Sequence, residues 1–380
     1  MRKPDITVEK VEGLSADFLL GADVSSMIAL ENSGVVYRNF EGQPQDLIQT
    51  LKESGLNTVR VRLWKDPYTA DGHGYGGGNC DLDNAIAIGK RVMAQGMSLL
   101  VDFHYSDFWA DPGKQKPPKA WAALGYEDKA IALETYTAEC LQAFADAGVK
   151  VSMVQIGNET TGGFCGEWTA ETQYPLMARA AAAVRSFDPN IRILVHYTNP
   201  EKGGYPYFAE QLQKYGVDYD IFASSYYPAW HGTVDNLTQQ LRSVAEGYGK
   251  KVMVAEIAWD RIAYNGQQST YPYSVQGQAD AIHHLVSAMA TLEDAAVGVC
   301  YWEPAWLEVP NTSWEQREKL WEQYGTGWAS SYAGEYDPED AGQYYGASGS
   351  YEQSLFAEDG TPLASLLTFT YIRTGEAGAT

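Results

Sequence analysis

Two glutamates lie in apolar, strand-like runs, where a lone carboxylate has no packing reason to be. Glu159 ends the run VSMVQIGNE, and Glu256 lies near the end of KVMVAEIAW. A carboxylate in an apolar segment is costly unless it is paired or takes part in chemistry. Two carboxylates facing one small cavity are the machinery of glycoside hydrolysis, in which one donates a proton and the other attacks the anomeric carbon.

The segments around these glutamates predict a barrel of parallel strands. Short apolar, β-branched runs alternate with amphipathic stretches along the chain, and eight runs are strand candidates: 18–25, 58–64, 98–105, 151–159, 191–198, 219–227, 251–259 and 297–306. This alternation indicates a parallel sheet, and eight units indicate a closed (β/α)8 TIM barrel of the α/β class. An open doubly wound sheet is disfavoured, because GADVSSM after the first strand lacks the GxGxxG phosphate loop. No linker marks a second domain, so we expect one domain over residues 1–380, with an extended segment at 1–15.

Active sites of such barrels lie at the carboxyl ends of the strands. The residues that end the eight predicted strands are polar, charged or aromatic: Asp23, Arg62, His104, Asn158 with Glu159, His196, Tyr226, Glu256 and Trp302. A barrel built for stability alone would not place such residues so regularly. We therefore expect them to converge on one cavity and to bind the substrate around the two glutamates.

Each glutamate has neighbours suited to its chemistry. Arg62 and Tyr226 are expected to hold Glu256 ionised and oriented, since an opposite charge and a hydrogen bond both favour the charged form. The alternative is that Arg60 and Arg62 are internal charges neutralised by unrelated buried acids.

The acid/base end of the predicted site involves an amide, a histidine and an indole. We expect Asn158 to hydrogen-bond a sugar 2-hydroxyl, a contact that strengthens in the transition state. His196 would keep Glu159 protonated or correctly aimed, and Trp302 would form the floor under the reacting sugar. The alternative for His104 or His196, taken alone, is a hydrogen-bonded core histidine.

Charge and composition exclude several classes of partner. With 27 basic and 49 acidic residues the net charge is -22, which argues against nucleic acid and anionic membranes. The 11 Trp and 26 Tyr could supply flat platforms for sugar rings. No stretch approaches the roughly 20 apolar residues of a transmembrane helix. The start MRKPDITVEK lacks a signal-peptide core, so the protein is either cytoplasmic or a mature form whose export signal was replaced by Met.

The cysteines show no metal-binding or redox spacing. Cys80, Cys140, Cys165 and Cys300 form no CxxC pair and no cluster of the zinc type. We expect most of them to be free and buried, although the sequence leaves one disulfide pair open.

Seven segments together resemble glycoside hydrolase family 53, the arabinogalactan endo-β-1,4-galactanases of the clan A retaining enzymes: 21–26, 60–64, 102–121, 155–159, 224–228, 255–259 and 325–342. The motifs DFHYSDFWADPGKQKPPKAW and GWASSYA are specific, whereas GNE alone is weak. The resemblance implies retaining endo-hydrolysis of the β-1,4-galactan side chains of pectin. In it, Glu159 is the acid/base and Glu256 the nucleophile, with carboxyl groups roughly 5–5.5 Å apart.

The resemblance also implies further substrate contacts. Asp107, Trp109 and Asp111, after the third strand, would touch the glycan or shape its cleft, and Trp230 and Trp259 are stacking candidates. Plain loop packing is the alternative for the two stacking candidates.

The resemblance raises the question of calcium, which some bacterial members bind in a loop after strand seven. Here that loop, 260–274, has one Asp and one Asn, so we expect no calcium site in it and no required cofactor. The acidic loop 335–342 could attract a cation, but a solvated turn is favoured. We expect a monomer with galactan as its partner, exported to the bacterial cell envelope or beyond, because galactan is too large to enter a cell.

Three other functions compete with this interpretation. A clan A mannanase, cellulase or xylanase would use the same two glutamates, and only the polysaccharide that is cut would distinguish it. A non-catalytic glycan-binding barrel would lack one glutamate, and both are present. A metal-dependent barrel hydrolase would need His-x-His after strand one, where this chain has GADVS.

Overall fold

The computed structural model describes residues 6–263, 270–344 and 352–375. Eight parallel strands close into a barrel in chain order: β1 Leu19–Asp23, β2 Thr58–Leu63, β3 Ser98–Phe103, β4 Met153–Ile156, β5 Arg192–Tyr197, β6 Ile221–Ser225, β7 Lys251–Ile257 and β8 Ala296–Trp302. Strand β1 pairs with both β2 and β8, so the sheet has no open edge. The predicted (β/α)8 barrel is confirmed.

Helices cover the outside of the barrel: α1 Met27–Asn32, α2 Leu47–Glu53, α3 Leu82–Ala94, α4 Tyr126–Asp146, α5 Ala170–Phe187, α6 Tyr205–Lys214, α7 Val234–Tyr248, α8 Val275–Ala290, α9 Trp314–Tyr324, α10 Ala341–Tyr344 and α11 Thr368–Thr374. Local signals set their ends. Asp81 and Thr233 cap α3 and α7 by accepting backbone N–H groups, and Gly249 ends α7 at a φ of 65°.

Among the described residues, no helix is long and apolar enough to cross a membrane.

Side chains inside the barrel form an apolar layer below a polar one. The apolar layer includes Leu100, Met153, Leu194, Ala223, Met253 and Cys300. Because a strand repeats every two residues, the next inward position on each strand lies one layer higher, toward the carboxyl ends. On five strands those positions hold Asp102, Gln155, His196, Ser225 and Trp302. The apolar layer closes the barrel floor, and the polar layer faces the active-site rim.

Strand β7 departs from this alternation, and the departure places Glu256. Met253 and Ala255 both pack in the apolar interior, so strict alternation would turn Glu256 outward. The register with β6 shifts at this point, and Ser225 becomes the partner of Glu256. Such a bulge re-aims a side chain. It brings the Glu256 carboxylate to the barrel axis.

The segments at the two ends of the chain pack together. The Val11 N–H donates to the Ile372 carbonyl at 2.7 Å, and the Thr7 N–H donates to the Gln276 side chain at 2.9 Å. The four cysteines are buried and free, so the disulfide pair that the sequence left open does not form.

Candidate active site

The carboxyl ends of the strands surround a cavity of about 180 Å³, which both glutamates line. Its wall contains eight of the residues predicted from the sequence: Arg62, His104, Trp109, Asp111, Asn158, Glu159, Glu256 and Trp302. Tyr227 and Trp328 complete the polar and aromatic lining. The spatial convergence of these eight residues is therefore observed, while their individual roles stay predictions.

The cavity adjoins a larger space on each side. Tyr227 and Trp302 also line a neighbouring cavity of about 390 Å³, whose wall includes Trp230 and Trp259. Asp111, which follows β3 and so lies across the barrel from β7, also lines a cavity of about 610 Å³. The two glutamates thus lie in the middle of a groove, with room for sugar on both sides.

Both oxygens of the Glu256 carboxylate have partners. Arg60 Nη2 lies 2.9 Å from Oε1, and the Tyr227 hydroxyl donates to Oε2 at 2.7 Å. A guanidinium and a phenol on one carboxylate form charge-assisted hydrogen bonds that fix its orientation. This arrangement suits a nucleophile.

Arg62 and Tyr226 were predicted to hold Glu256, and both predictions are wrong: the arginine by two positions and the tyrosine by one. Arg62 pairs instead with Asp23 at 3.0 Å and with Glu303 at 2.8 Å. The Tyr226 hydroxyl donates to the Gly232 carbonyl at 2.9 Å, away from the cavity. Ser225 faces the interior, so the following tyrosine points outward and the next one inward. For the tyrosines, a choice of the wrong member of the adjacent pair sends the side chain to the other face, whereas Arg60 and Arg62 share a face and differ in depth.

Adjacent tyrosines therefore offer a matched test. Tyr227→Phe removes the donor to Glu256 Oε2, and we expect kcat/KM to fall about tenfold to a hundredfold, the loss of a charged hydrogen bond being worth 1.5–3 kcal/mol. Tyr226→Phe should leave kcat/KM and its pH profile unchanged. Initial rates over a pH series measure both. Equal effects of the two variants would contradict this assignment.

Arg60 is the centre of a buried charge network. Its guanidinium lies within 3.0 Å of Asp23, Asp102 and Glu256, and Nη2 also donates to Asn158 Oδ1 at 3.0 Å. Burial alone would lower the pKa of Arg60, but Asp102, Glu256 and Asp23 together raise it. Arg60 therefore stays charged beneath the cavity. Asp23, predicted to bind substrate, does not line the cavity, because the two arginines occupy its carboxylate.

The environment of Glu159 differs from that of Glu256. Burial raises the pKa of Glu159, nearby Glu256 raises it further, and a hydrogen bond from Ser225 opposes them. The Ser225 hydroxyl donates to Glu159 Oε1 at 2.6 Å. The Glu159 backbone is left-handed, with a φ of 46°, a strained conformation of the kind that clusters at active sites. A carboxyl group with a raised pKa beside one held by a guanidinium matches the acid and nucleophile of a glycosidase.

Asn158 and His104 line the wall in fixed orientations. Asn158 Nδ2 donates to the Ala110 carbonyl at 2.7 Å, which leaves its second amide hydrogen for a ligand. His104 Nδ1 accepts from Trp64 Nε1 at 3.0 Å, and Nε2 lies 3.1 Å from Asp102. Both ring nitrogens of His104 are thus engaged by protein groups, so its ring can offer a ligand only its edge or face.

Aromatic rings form one side of the cavity. The Trp109 and Trp328 rings are parallel within 6°, with centroids 6.2 Å apart, and the Arg62 guanidinium lies 4.5 Å from the Trp109 centroid. Trp302 lies on the border between the catalytic cavity and the neighbouring one. Trp230, 67% exposed, extends that neighbouring wall. This surface suits the apolar faces of sugars.

Two of the predicted binding residues, Asp107 and His196, do not line the cavity. Asp107 is buried and accepts from the backbone N–H groups of Asp66 at 3.0 Å and Lys119 at 2.7 Å. It shapes the loop after β3 and does not line the cavity. His196 lies beneath Glu159, accepting its backbone N–H on Nδ1 at 3.2 Å. Contact of either residue with substrate is not supported, because both are enclosed by protein.

Sequence reasoning missed the direct partners of the glutamates. Tyr227 and Ser225 lie in the quoted motif SSYYP, but only the barrel register tells which of its side chains face inward. Glu303 is a further buried carboxylate, with a left-handed φ of 47°, that accepts from Ser26 and pairs with Arg62. Its place directly after β8 was an available signal.

Two carboxylates of the acidic loop 335–342 are paired with a lysine of the same protein. Lys114 Nζ pairs with Asp337 at 2.9 Å and also with Asp340. Carboxylates engaged by an ammonium group do not fit a Ca²⁺ site, which needs six to eight oxygen ligands. The described residues contain no group of three or more His, Cys, Asp or Glu side chains that could hold a metal. Part of the loop 260–274, namely 264–269, lies outside the described residues.

Comparisons with known proteins agree with this geometry. Residues 19–369 match the model of glycosyl hydrolase family 53. The chain is 54% identical over 390 residues to the endo-beta-1,4-galactanase of Bacillus subtilis (strain 168), covering 99% of this chain and 90% of the relative. It is 33% identical over 310 residues to the arabinogalactan endo-beta-1,4-galactanase of Humicola insolens, covering 77% and 90%. The solved Ignisphaera aggregans GH53 catalytic domain superposes with a TM-score of 0.83 at 33% identity, covering 97% and 99%.

Proposed function

Because this chain belongs to glycosyl hydrolase family 53, we propose that it is an endo-β-1,4-galactanase that cuts the galactan side chains of pectin. The observation that carries the proposal is a pair of glutamates in one cavity, one with a raised pKa and the other held by Arg60 and Tyr227. The names of the relatives supply the sugar and the linkage.

The reaction is a double displacement in two steps. In the first, Glu256 attacks the anomeric carbon while Glu159 gives its proton to the glycosidic oxygen, which leaves on the aglycone. In the second, Glu159, now ionised, takes a proton from water as the water displaces Glu256. Two inversions at one carbon give a product of retained β configuration.

Binding groups around the glutamates support this chemistry. Asn158 is oriented by Arg60 and by the Ala110 carbonyl, and its free amide hydrogen would reach the 2-hydroxyl of the reacting sugar. Trp302 would lie under that sugar, and the Arg62 guanidinium is packed against Trp109 and Trp302. These contacts position the anomeric carbon between the carboxyl groups, and positioning is a large share of catalysis.

Internal cleavage is supported by the shape of the groove. The catalytic cavity adjoins cavities of about 390 and 610 Å³ through shared wall residues. Room on both sides lets a long glycan cross the site without threading an end into a pocket.

We further propose that the enzyme works as a monomer outside the cell and needs no cofactor for the reaction. Both carboxyl groups and their partners come from a single chain, so no second copy is needed to complete the site. A polymeric substrate must be met where it lies, in the medium or at the cell envelope.

The test is a time course of products from several polysaccharides. Purified protein is incubated with unbranched β-1,4-galactan, mannan, xylan and cellulose, while reducing ends and oligosaccharide sizes are followed together. Mixed galacto-oligosaccharides should appear at once from galactan alone. Galactose or one short product from the outset would replace endo with exo action, and cleavage of another glycan instead would overturn the substrate assignment.

A further inference from the structure

We propose that Ser225, held by His196, is a positioning residue that fixes which oxygen of Glu159 carries the catalytic proton. The inference rests on the proposed function, in which Glu159 is the acid/base. Three hydrogen bonds, each donating in the same direction, form a chain that begins and ends on one residue. The chain runs from the Glu159 backbone, through His196 and Ser225, to the Glu159 side chain.

The tautomer of His196 is determined by its donors. The Glu159 backbone N–H points at Nδ1 from 3.2 Å, and Gln155 Nε2 lies 2.9 Å from the same atom. The Gln155 amide is itself oriented, because its Oε1 accepts from Arg60 Nε at 3.1 Å. Two donors at Nδ1 require a lone pair there. The ring proton of neutral His196 therefore lies on Nε2.

The direction of the remaining bonds follows from that tautomer. His196 Nε2 lies 2.9 Å from Ser225 Oγ, so the serine accepts from the histidine. Its single hydroxyl hydrogen is then free to donate to Glu159 Oε1, at 2.6 Å. An oxygen that accepts this bond does not carry the acid proton. Within the described part of the chain no protein group bonds to Glu159 Oε2, so the proton lies on the oxygen available to substrate.

The β6–β7 bulge ties this chain to the nucleophile. The shifted register makes Ser225 the strand partner of Glu256, and the Tyr226 N–H donates to the Glu256 carbonyl at 2.8 Å. One backbone irregularity thus sets the serine that aims Glu159 and turns Glu256 inward. The relative position of the two carboxyl groups depends on it.

The charges around the chain keep it intact over the working pH range. Burial lowers the pKa of His196 well below its usual value, Arg60 and His104 lower it further, and Asp102 opposes them. The ring therefore stays neutral, and Nδ1 keeps the lone pair that accepts from the Glu159 backbone and from Gln155.

The charges facing Glu159 determine the effect expected on pH dependence. Burial, Glu256 and Asp111 raise the pKa of Glu159, whereas Ser225 and Arg60 lower it. The first step needs the protonated form, so activity is lost as pH rises through this pKa. Loss of the serine donor raises the pKa and moves the alkaline limb of kcat/KM to higher pH.

Ser225→Ala tests the proposal by kinetics. On galactan, kcat/KM should fall about tenfold to a hundredfold, part of the 10²–10⁴ that general acid catalysis contributes, with the alkaline limb moved upward. On 2,4-dinitrophenyl β-1,4-galactobioside, whose leaving group needs no proton, kcat/KM should change far less. Ser225→Thr keeps the hydroxyl and should restore the profile. Equal losses on both substrates with an unmoved limb would overturn the proposal.

Ser224→Ala is the matched control. Ser224 precedes Ser225 on the same strand but faces away from the cavity, bonded to the Tyr205 hydroxyl. The Ser224→Ala variant should keep the wild-type pH profile. If Ser224→Ala shifted the alkaline limb of kcat/KM as much as Ser225→Ala does, the shift would come from disturbing strand β6 and not from losing the Ser225 hydroxyl. The proposal would then fail.

The tautomer is measured independently of any activity. Two-bond ¹H–¹⁵N correlation of the six histidines, with His196→Gln for assignment, should show His196 neutral and protonated on Nε2 over the active pH range. A proton on Nδ1, or a charged ring, would overturn the chain. Absence of galactan cleavage by the wild type would refute the proposed function instead, so the two failures are distinguishable.

Discussion

Glu256→Ala should abolish turnover of galactan and of activated aryl galactobiosides alike. No covalent intermediate can form without the nucleophile, whatever the leaving group. Loss of the nucleophile in covalent enzymes costs up to about 10⁶-fold in kcat. The chain should still fold, because Arg60 keeps Asp23 and Asp102 as counter-ions. Initial rates on both substrates, with circular dichroism and a melting curve, measure these effects.

Azide rescue identifies the role of Glu256 directly. In the space left by the alanine, azide can attack the anomeric carbon of a dinitrophenyl galactobioside. A single displacement gives the azide with α configuration. Recovery of the α-azide would establish Glu256 as the nucleophile. A β-azide, or substantial activity of the variant without azide, would show that another group attacks the sugar.

Glu159→Ala should have an effect that depends on the leaving group. On galactan, kcat/KM should fall about 10²–10⁴-fold, since the departing sugar alkoxide needs a proton. On the dinitrophenyl substrate, kcat/KM should be nearly preserved, because its leaving group departs unaided. The second step loses its base, so kcat falls and an initial burst of dinitrophenol appears. Stopped-flow absorbance on the two substrates separates these steps.

The configuration of the azide product is again the control. Azide can replace water in the second step of Glu159→Ala without needing a base. Displacement from the covalent intermediate gives the β-azide, the opposite configuration from Glu256→Ala. If both variants gave the same azide, or lost both substrates to the same extent, the division of roles between the two glutamates would be wrong.

The fold and the identity of the two glutamates were predictable because both leave local signals. A parallel strand buried on both faces reads as a short apolar run, and eight such runs with helices between them leave few architectures. A glutamate inside such a run stands out against it. The strand ends therefore located the rim and most of the cavity wall before any contact was known.

The partners of the glutamates were predicted less well, because side-chain direction depends on register. Arg60 and Arg62 both face the barrel interior, and only the depth of each in the barrel decides that Arg60 reaches Glu256. Tyr226 and Tyr227 are adjacent, and the inward direction of Ser225 decides between them. Chain order alone contains neither depth nor register.

The sequence by itself determined the barrel, the rim and the two carboxyl groups, since apolar periodicity and isolated acids are properties of neighbouring residues. The tertiary structure decided which arginine and tyrosine hold Glu256, and it revealed the bulge that turns Glu256 inward. It also decided the path from His196 through Ser225 to Glu159, which joins residues on three strands or their ends. Hydrogen bonds between groups distant in sequence depend on angstrom-scale placement, and that placement arises only when the barrel closes.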